Sequence, residues 1–268
     1  MIGAILGDII GSRHEFNNIK TKDFELFTQE CCFTDDTVMT CAVAQALLDC
    51  QEDYRDLSTK TINAMHRIGR KYPGAGYGGM FFRWMFSDDA KPYNSFGNGA
   101  AMRISPVGFI ARNVVEAKEL SGKVTRVTHN HPEGMKGAEA TAVAIVMARQ
   151  GASKDEIRKV MERDYYKSEH TVDEYREIIR GHGDETCQVS MPEALQCFYE
   201  GRDYEDVIRN CISIGGDSDT LGAIAGGIAE AFYGVPEEYR ERLKDYLDKD
   251  LLGIVNQFTE NTRKTETT

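Results

Sequence analysis

The sequence predicts a single-domain, all-α fold. Apolar residues recur at helical spacing along the chain, strict two-residue alternation is hard to find, and glycine and proline punctuate the helical stretches. More helices are expected than a simple four-helix bundle holds. With 268 residues, 41% of them hydrophobic, only 6 prolines and no Ser/Pro/Gly tract, one large core is favoured over two domains joined by a linker.

Residues 1–11 place Ile2, Ile5, Leu6, Ile9 and Ile10 on a helical face, with Gly3, Gly7 and Gly11 four apart. Small residues at that spacing let two helices approach closely. Residues 36–50 (Val38, Met39, Ala42, Val43, Ala46, Leu47) are apolar nearly all round, as in a core helix. Ser58 is expected to cap a periodic segment that ends near Tyr72, where Pro73 stops it. Residues 74–79 (GAGYGG) are too rich in glycine for a regular element.

Residues 132–149 form a strong helix, opened by Pro132 and closed by Gly151, and Ser153 caps a charged helix around 154–165. From 169 to 189 the chain is polar and weakly periodic, so short helices and loops are expected. Helices follow over 191–200, 203–213, 219–233 and 236–247, separated by Gly201, Gly215-Gly216 and Gly234-Val235-Pro236. The helical domain is set at residues 1–260, and the polar tail 261–268 is expected to fray.

Lysine and arginine number 32 against 43 aspartates and glutamates, a net charge of -11. Such a surface repels nucleic-acid backbones, although a cation or a helix N-terminus can still meet a small anion locally. The seven cysteines are odd in number and lack CxxC spacing, which favours reduced, buried thiols in a reducing compartment. The N-terminus lacks the basic start of a signal peptide, and Asp8 interrupts its short apolar run. Nowhere do 18 apolar residues run together, so a cytoplasmic protein with no membrane span is expected.

Two acidic clusters carry the chemistry. Thr34-Asp35-Asp36-Thr37 precedes the apolar helix of 38–50, and Asp217-Ser218-Asp219-Thr220 precedes that of 221–233. Helix capping alone would account for one Asp or Thr at each end. Two carboxylates per buried helix go further: brought together, four of them repel strongly in a partly dry site. Hard cations such as Mg²⁺, Mn²⁺ or Ca²⁺ relieve that repulsion through carboxylate, hydroxyl and carbonyl oxygens. Capped helix ends and a metal site remain competing readings of the spacing, while the lack of a Cys/His pattern argues against zinc. Glu15, alone a solvated charge, would beside the clusters be a fifth carboxylate.

Together these segments resemble the ADP-ribosylglycohydrolase family. The resemblance is carried by Gly7-Asp8, Gly11-Ser12 and Glu15, by Phe33-Thr34-Asp35-Asp36-Thr37, by Gly97-Asn98-Gly99-Ala100-Ala101-Met102-Arg103, by Thr128-His129 and by Gly215-Gly216-Asp217-Ser218-Asp219-Thr220. They stand in the family's order from residue 3 to about 233. The resemblance implies an all-α orthogonal multi-helix bundle and two divalent cations, Mg²⁺ or Mn²⁺, near a ribose. Carried onto this chain, the metal ligands are Thr34, Asp35, Asp36, Asp217, Asp219 and Thr220, with Ser218 as a spacer between the last two aspartates. Glu15 matches a glutamate at the metal edge that meets the metal or activates water.

The Gly97-Asn98-Gly99 turn matches the family's loop around the ADP-ribose phosphates, where exposed N–H groups would bind oxyanions. The plainer alternative is a tight turn before a helix. Ser95, Phe96, Gly97, Asn98 and Gly99 are placed at the ligand, with Met102 and Arg103 supporting the loop. His129 matches a pocket-lining histidine; His131 is the weaker candidate, and His14, His66, His170 and His182 carry no motif. The 74–79 loop could form a pocket wall, with Tyr77 available to stack on a base, and substrate-selecting contacts are expected between 160 and 190.

The implied reaction is hydrolysis at the anomeric carbon of the distal ribose of ADP-ribose, releasing it from a modified protein or small molecule through an oxocarbenium-like state. Asp35 or Asp36 would orient or deprotonate the water, with Glu15 as rival base. Two other readings stand beside this one. A helical metal-dependent phosphohydrolase would bring His-Asp pairs, which are absent from the sequence. A non-catalytic ADP-ribose binder or structural relative could shed ligands that this chain retains.

Overall fold

A computed structural model describes residues 1–266. Fifteen α-helices follow one another among these residues, and no strand does. The first five are α1 (Ile2–Gly11), α2 (Asp35–Cys50), α3 (Leu57–Gly69), α4 (Gly79–Phe86) and α5 (Gly99–Met102). Next come α6 (Ser105–Ile110), α7 (Val114–Thr125), α8 (Pro132–Arg149), α9 (Lys154–Asp164) and α10 (Val172–Ile178). The chain closes with α11 (Cys187–Glu200), α12 (Tyr204–Ile214), α13 (Ser218–Tyr233), α14 (Glu237–Tyr246) and α15 (Lys249–Glu266). Among the described residues no helix is long and apolar enough to cross a membrane.

The two helices that begin at the acidic clusters, α2 and α13, run through the core. Val38, Met39, Ala42, Val43, Ala46 and Leu47 of α2 are buried, as are Leu221, Ile224, Ala225 and Ile228 of α13. A polar stripe is lacking because both helices are surrounded.

The glycines of α1 bring its backbone against that of α13. A Cβ at Gly3 would stand 2.4 Å from the Gly226 carbonyl oxygen, at Gly7 2.0 Å from that of Gly222, and at Gly11 2.5 Å from that of Ser218. Partner numbers fall as the α1 numbers rise, so α1 and α13 run antiparallel with their backbones in contact. That register puts the first turn of α13 beside the last turn of α1. Ser218 donates a hydrogen bond from Oγ to the Gly11 carbonyl at 3.2 Å, which pins the junction.

Several expected boundaries move. Ser58 lies inside α3, donating from Oγ to the Lys123 carbonyl at 2.8 Å, while Asp56 holds the cap position. Helix α11 starts at Cys187 rather than 191 and carries Pro192 within it, where the ring sits in the helix's first turns. Helix α15 runs past residue 260 to Glu266, with Leu251, Val255 and Phe258 anchoring it in the core; residues 267–268 lie outside the described residues. Helices α7 and α15 had no counterpart in the sequence pattern. Six cysteines are buried free thiols as expected, but Cys32 is exposed in the loop before Thr34.

Candidate functional site

The first cluster is organised by a residue outside it. Asp8, fully buried on α1, accepts hydrogen bonds from Thr34 N at 3.0 Å, Thr34 Oγ1 at 2.8 Å, Thr37 N at 3.0 Å and the Thr37 hydroxyl. Thr34 also caps α2, its Oγ1 accepting from Asp36 N at 3.3 Å. Asp8 and Thr34 therefore do the capping, and the carboxylates of Asp35 and Asp36 are released from it. At α13, Asp217 occupies the cap position but its side chain caps nothing; it accepts from Asn98 Nδ2 at 2.6 Å. Helix capping does not account for these aspartates.

Proximity follows from the α1–α13 contact and from Asn18. Asn18 Nδ2 donates to the carbonyls of His14 (2.7 Å), Glu15 (3.0 Å) and Gly216 (3.0 Å), and its Oδ1 accepts from Gly216 N at 3.0 Å. The loop after α1 is thus fastened to the turn before α13. Gly215 and Gly216, at φ +78° and +77°, take the left-handed backbone that this turn requires. Thr220 Oγ1 donates to Asp36 Oδ2 at 3.3 Å, and Thr34 Oγ1 approaches the same oxygen at 3.5 Å, so both clusters meet at one carboxylate.

Asp35, Asp36, Asp217, Asp219, Thr220 and Glu15 line one cavity of about 750 Å³, together with Ser95, Phe96, Gly97, Asn98, Gly99 and His129. Of the expected site residues, Thr34 alone does not line this cavity; it holds Asp8 and caps α2 instead.

Electrostatics in the cavity are strained by like charge. Burial, then the neighbouring carboxylates of Asp8, Asp217 and Glu15, pushes Asp35 up to about 8. Burial raises Asp36 and Asp219 well above the carboxylate range, with repulsion from Asp8 and Asp35 adding to the first and from Asp217 and Asp36 to the second. Asp8 rises to about 6, chiefly from burial. Among the described residues, no lysine or arginine forms an ion pair with Asp35, Asp36, Asp217 or Asp219. Asp36 Oδ1 is buried without a hydrogen-bond partner among the described residues. A buried, unpartnered carboxylate oxygen among unneutralised carboxylates fits hard divalent cations, which supply the missing charge and ligation.

Glu15 sits at the rim, its Oε1 2.9 Å from His182 Nε2. Burial raises its pKa first, the His182 hydrogen bond opposes this, and Asp217 adds to the rise. Ligand atoms of Glu15, His182 and Asp217 lie within 4.8 Å of one another. His182 had no motif in the sequence, and only its place in the loop after α10 brings it here. That loop also supplies Asp184, Glu185 and Thr186 to the cavity wall, within the segment where selecting contacts were expected.

The Gly97–Gly99 turn differs from expectation in one respect. Gly97 N donates to Ser95 Oγ at 3.2 Å and Asn98 N to the Glu185 carbonyl at 2.7 Å. These two N–H groups are already engaged, because the turn is paired with the chain at Thr186; they do not present themselves to an oxyanion. The glycines leave room instead, for a Cβ at Gly99 would lie 3.4 Å from His129 Nε2. His131, not His129, caps α8, accepting from Glu133 N, and its ring rests 5.2 Å from that of Phe96. Gly76, Gly78 and Gly79 form the opposite wall, while Tyr77 stacks on Phe81 at 5.5 Å and is not on the cavity surface.

The all-α fold thus joins two carboxylate-bearing helix ends over one cavity. The ADP-ribosylglycohydrolase family model matches residues 1–268, and the chain belongs to that family. It is 25% identical to the ADP-ribosylhydrolase ARH3 of Bos taurus over 94% of this chain and 89% of that protein. Identity to the ADP-ribosylhydrolase ARH3 of Homo sapiens is also 25%, over 94% and 90%. Identity to the ADP-ribosylarginine hydrolase Tri1 of Pseudomonas putida is 26%, over 55% of this chain and 42% of that one. The fold matches a solved structure titled ADP-ribosylglycohydrolase-related protein complex, with a TM-score of 0.66 and 23% identity over 91% of this chain and 94% of that one.

Proposed function

We propose that this protein hydrolyses the bond at the anomeric carbon of the distal ribose of ADP-ribose, freeing ADP-ribose from a modified protein or small molecule. The observation that carries the reading is the junction of both acidic clusters at Asp36, whose buried Oδ1 has no partner among the described residues. Family membership supports the ADP-ribose part.

Asp35, Asp36, Asp217, Asp219 and Thr220, with Thr34 beside Asp36, would hold two divalent cations, Mg²⁺ or Mn²⁺. When bound, such ions grip ribose hydroxyls and acidify water. The remaining work belongs to the chain. Asp35 or Asp36 would orient or deprotonate the attacking water, with Glu15, held by His182, as the rival base at the same cavity. Asn98 fixes the Asp217 carboxylate and keeps one of its oxygens turned to the turn. Phe96, 44% exposed, and the Gly97–Gly99 turn border the nucleotide side. We also place the protein in the cytoplasm, on its odd, CxxC-free set of cysteines.

The test compares wild-type protein with Asp35→Ala and Asp219→Ala on peptides ADP-ribosylated at arginine and at serine, with released ADP-ribose followed by mass spectrometry. Both variants should lose turnover while retaining their helical circular dichroism. Near-normal rates would remove these residues from the site. Wild-type binding without turnover on either linkage would favour a non-catalytic binder, and released inorganic phosphate a phosphohydrolase.

A further inference from the structure

Among the described residues Arg103 is the largest fully buried side chain, at 1% exposure, and no carboxylate pairs with it. It follows α5 and reaches the cavity wall. One NH2 nitrogen lies 2.7 Å from Thr128 Oγ1 and 3.3 Å from His129 Nδ1; its Nε has no partner among the described residues. The guanidinium carbon lies 5.6 Å from the centre of the Phe81 ring. Burying a cation without a paired anion is costly. Thr128 Oγ1 is in turn 2.8 Å from His129 Nδ1.

These three contacts favour one arrangement of protons, in which Arg103 and Thr128 both donate to His129 Nδ1. A guanidinium only donates, so Thr128 Oγ1 accepts from Arg103. A proton on His129 Nδ1 would face the Arg103 NH2 group, donor against donor. With Nδ1 accepting from the Thr128 hydroxyl and from Arg103, the ring's single proton sits on Nε2. Burial, reinforced by the Arg103 charge, lowers the His129 pKa well below its ordinary value, so the ring is neutral. Its Nε2 faces the space that Gly97 and Gly99 leave open: a Cβ at those positions would stand 3.8 and 3.4 Å from it. No described group hydrogen-bonds to Nε2.

We infer that Arg103 and Thr128 are positioning residues that lock His129 as a neutral Nε2–H donor, aimed across the Gly97–Gly99 turn at an anionic oxygen of the ligand. This rests on the proposed ADP-ribose reading, where the anionic oxygens are those of the pyrophosphate. The N–H groups of Gly97 and Asn98 are engaged within the protein. The His129 donor takes the place they leave, and the buried Arg103 charge behind it favours an anion over water.

The test is a long-range ¹H–¹⁵N correlation spectrum of protein labelled at histidine, with His129 assigned by the signal missing in His129→Gln. Wild-type His129 should be neutral and protonated on Nε2 throughout pH 5.5 to 8. Thr128→Val should populate the Nδ1–H form and raise the calorimetric Kd for ADP-ribose by about tenfold, as expected for a weakened hydrogen bond to a charged acceptor. Thr128→Ser, which keeps the hydroxyl, should restore both, and Mn²⁺ affinity measured alone should not change in either variant. A proton on Nδ1 or a charged ring at pH 7 in the wild type overturns the lock without recourse to any variant. Equal ADP-ribose affinity for the Val and Ser variants overturns its role in binding. An Nε2–H ring in a protein that does not bind ADP-ribose would sustain the lock and refute the functional reading instead.

Discussion

Gly7→Ala tests whether backbone contact between α1 and α13 builds the site. The new Cβ would stand 2.0 Å from the Gly222 oxygen and 2.3 Å from its carbon, against an ordinary contact near 3.4 Å. Both atoms are backbone, so no side chain can swing aside, and the helices must part by roughly 1 Å. Overpacking of this kind costs up to roughly 3 kcal/mol. Alanine returns about 1 kcal/mol of helix propensity, leaving a net loss of roughly 2 kcal/mol. Gly253→Ala is the control: Gly253 lies in α15, where an added methyl group would meet nothing within 4 Å, so the same substitution should stabilise. That gain should be roughly 0.5–1 kcal/mol. Urea unfolding followed by circular dichroism and by fluorescence of the single tryptophan, Trp84, reads both. Stabilisation by both substitutions would refute the close-contact reasoning. Because α13 would shift relative to Gly11, Gly7→Ala should also lower turnover in the protein that remains folded.

The raised carboxylates give metal-free protein a definite pH dependence. Asp35 rises from an ordinary 3.8 to about 8, so its contribution to stability is fully present below 3.8 and is lost as pH rises toward and through 8. Thermal melts in EDTA should fall between pH 5 and 8, and saturating Mn²⁺ should flatten the trend; a metal-free melt that rises over this window would contradict the burial of the cluster. Exposed Cys32 should be alkylated by iodoacetamide in the native state well before the six buried thiols. Peptide mapping checks this, and early labelling of Cys41 or Cys197 would contradict the packing.

The amphipathic and apolar segments were legible in the sequence because their pattern is local. Glycines four apart on α1 announced a close partner, although only the fold identifies that partner as Gly222 and Gly226 on α13. The acidic clusters were legible as helix ends, but whether capping explained them depended on Asp8, 26 residues from Thr34 in the chain. His182 was invisible for the same reason: its partner Glu15 is 167 residues away, and the 169–189 stretch that holds it is too weakly periodic to place it. The engaged N–H groups of the Gly97–Gly99 turn depend on pairing with Thr186 and Glu185, which no local motif announces. Ser58 misled as a cap because Asp56, two residues earlier, holds that position, leaving the serine hydroxyl to bond the neighbouring helix α7.

One cation-dependent site made from both acidic helix ends is the central claim. Its most direct test is the initial rate of ADP-ribose release from an ADP-ribosylated peptide, measured with Mn²⁺ or Mg²⁺, after EDTA, and after the cation is restored. Chelation should abolish release, and restoring the cation should recover it. Release that continues unchanged in EDTA would contradict the claim.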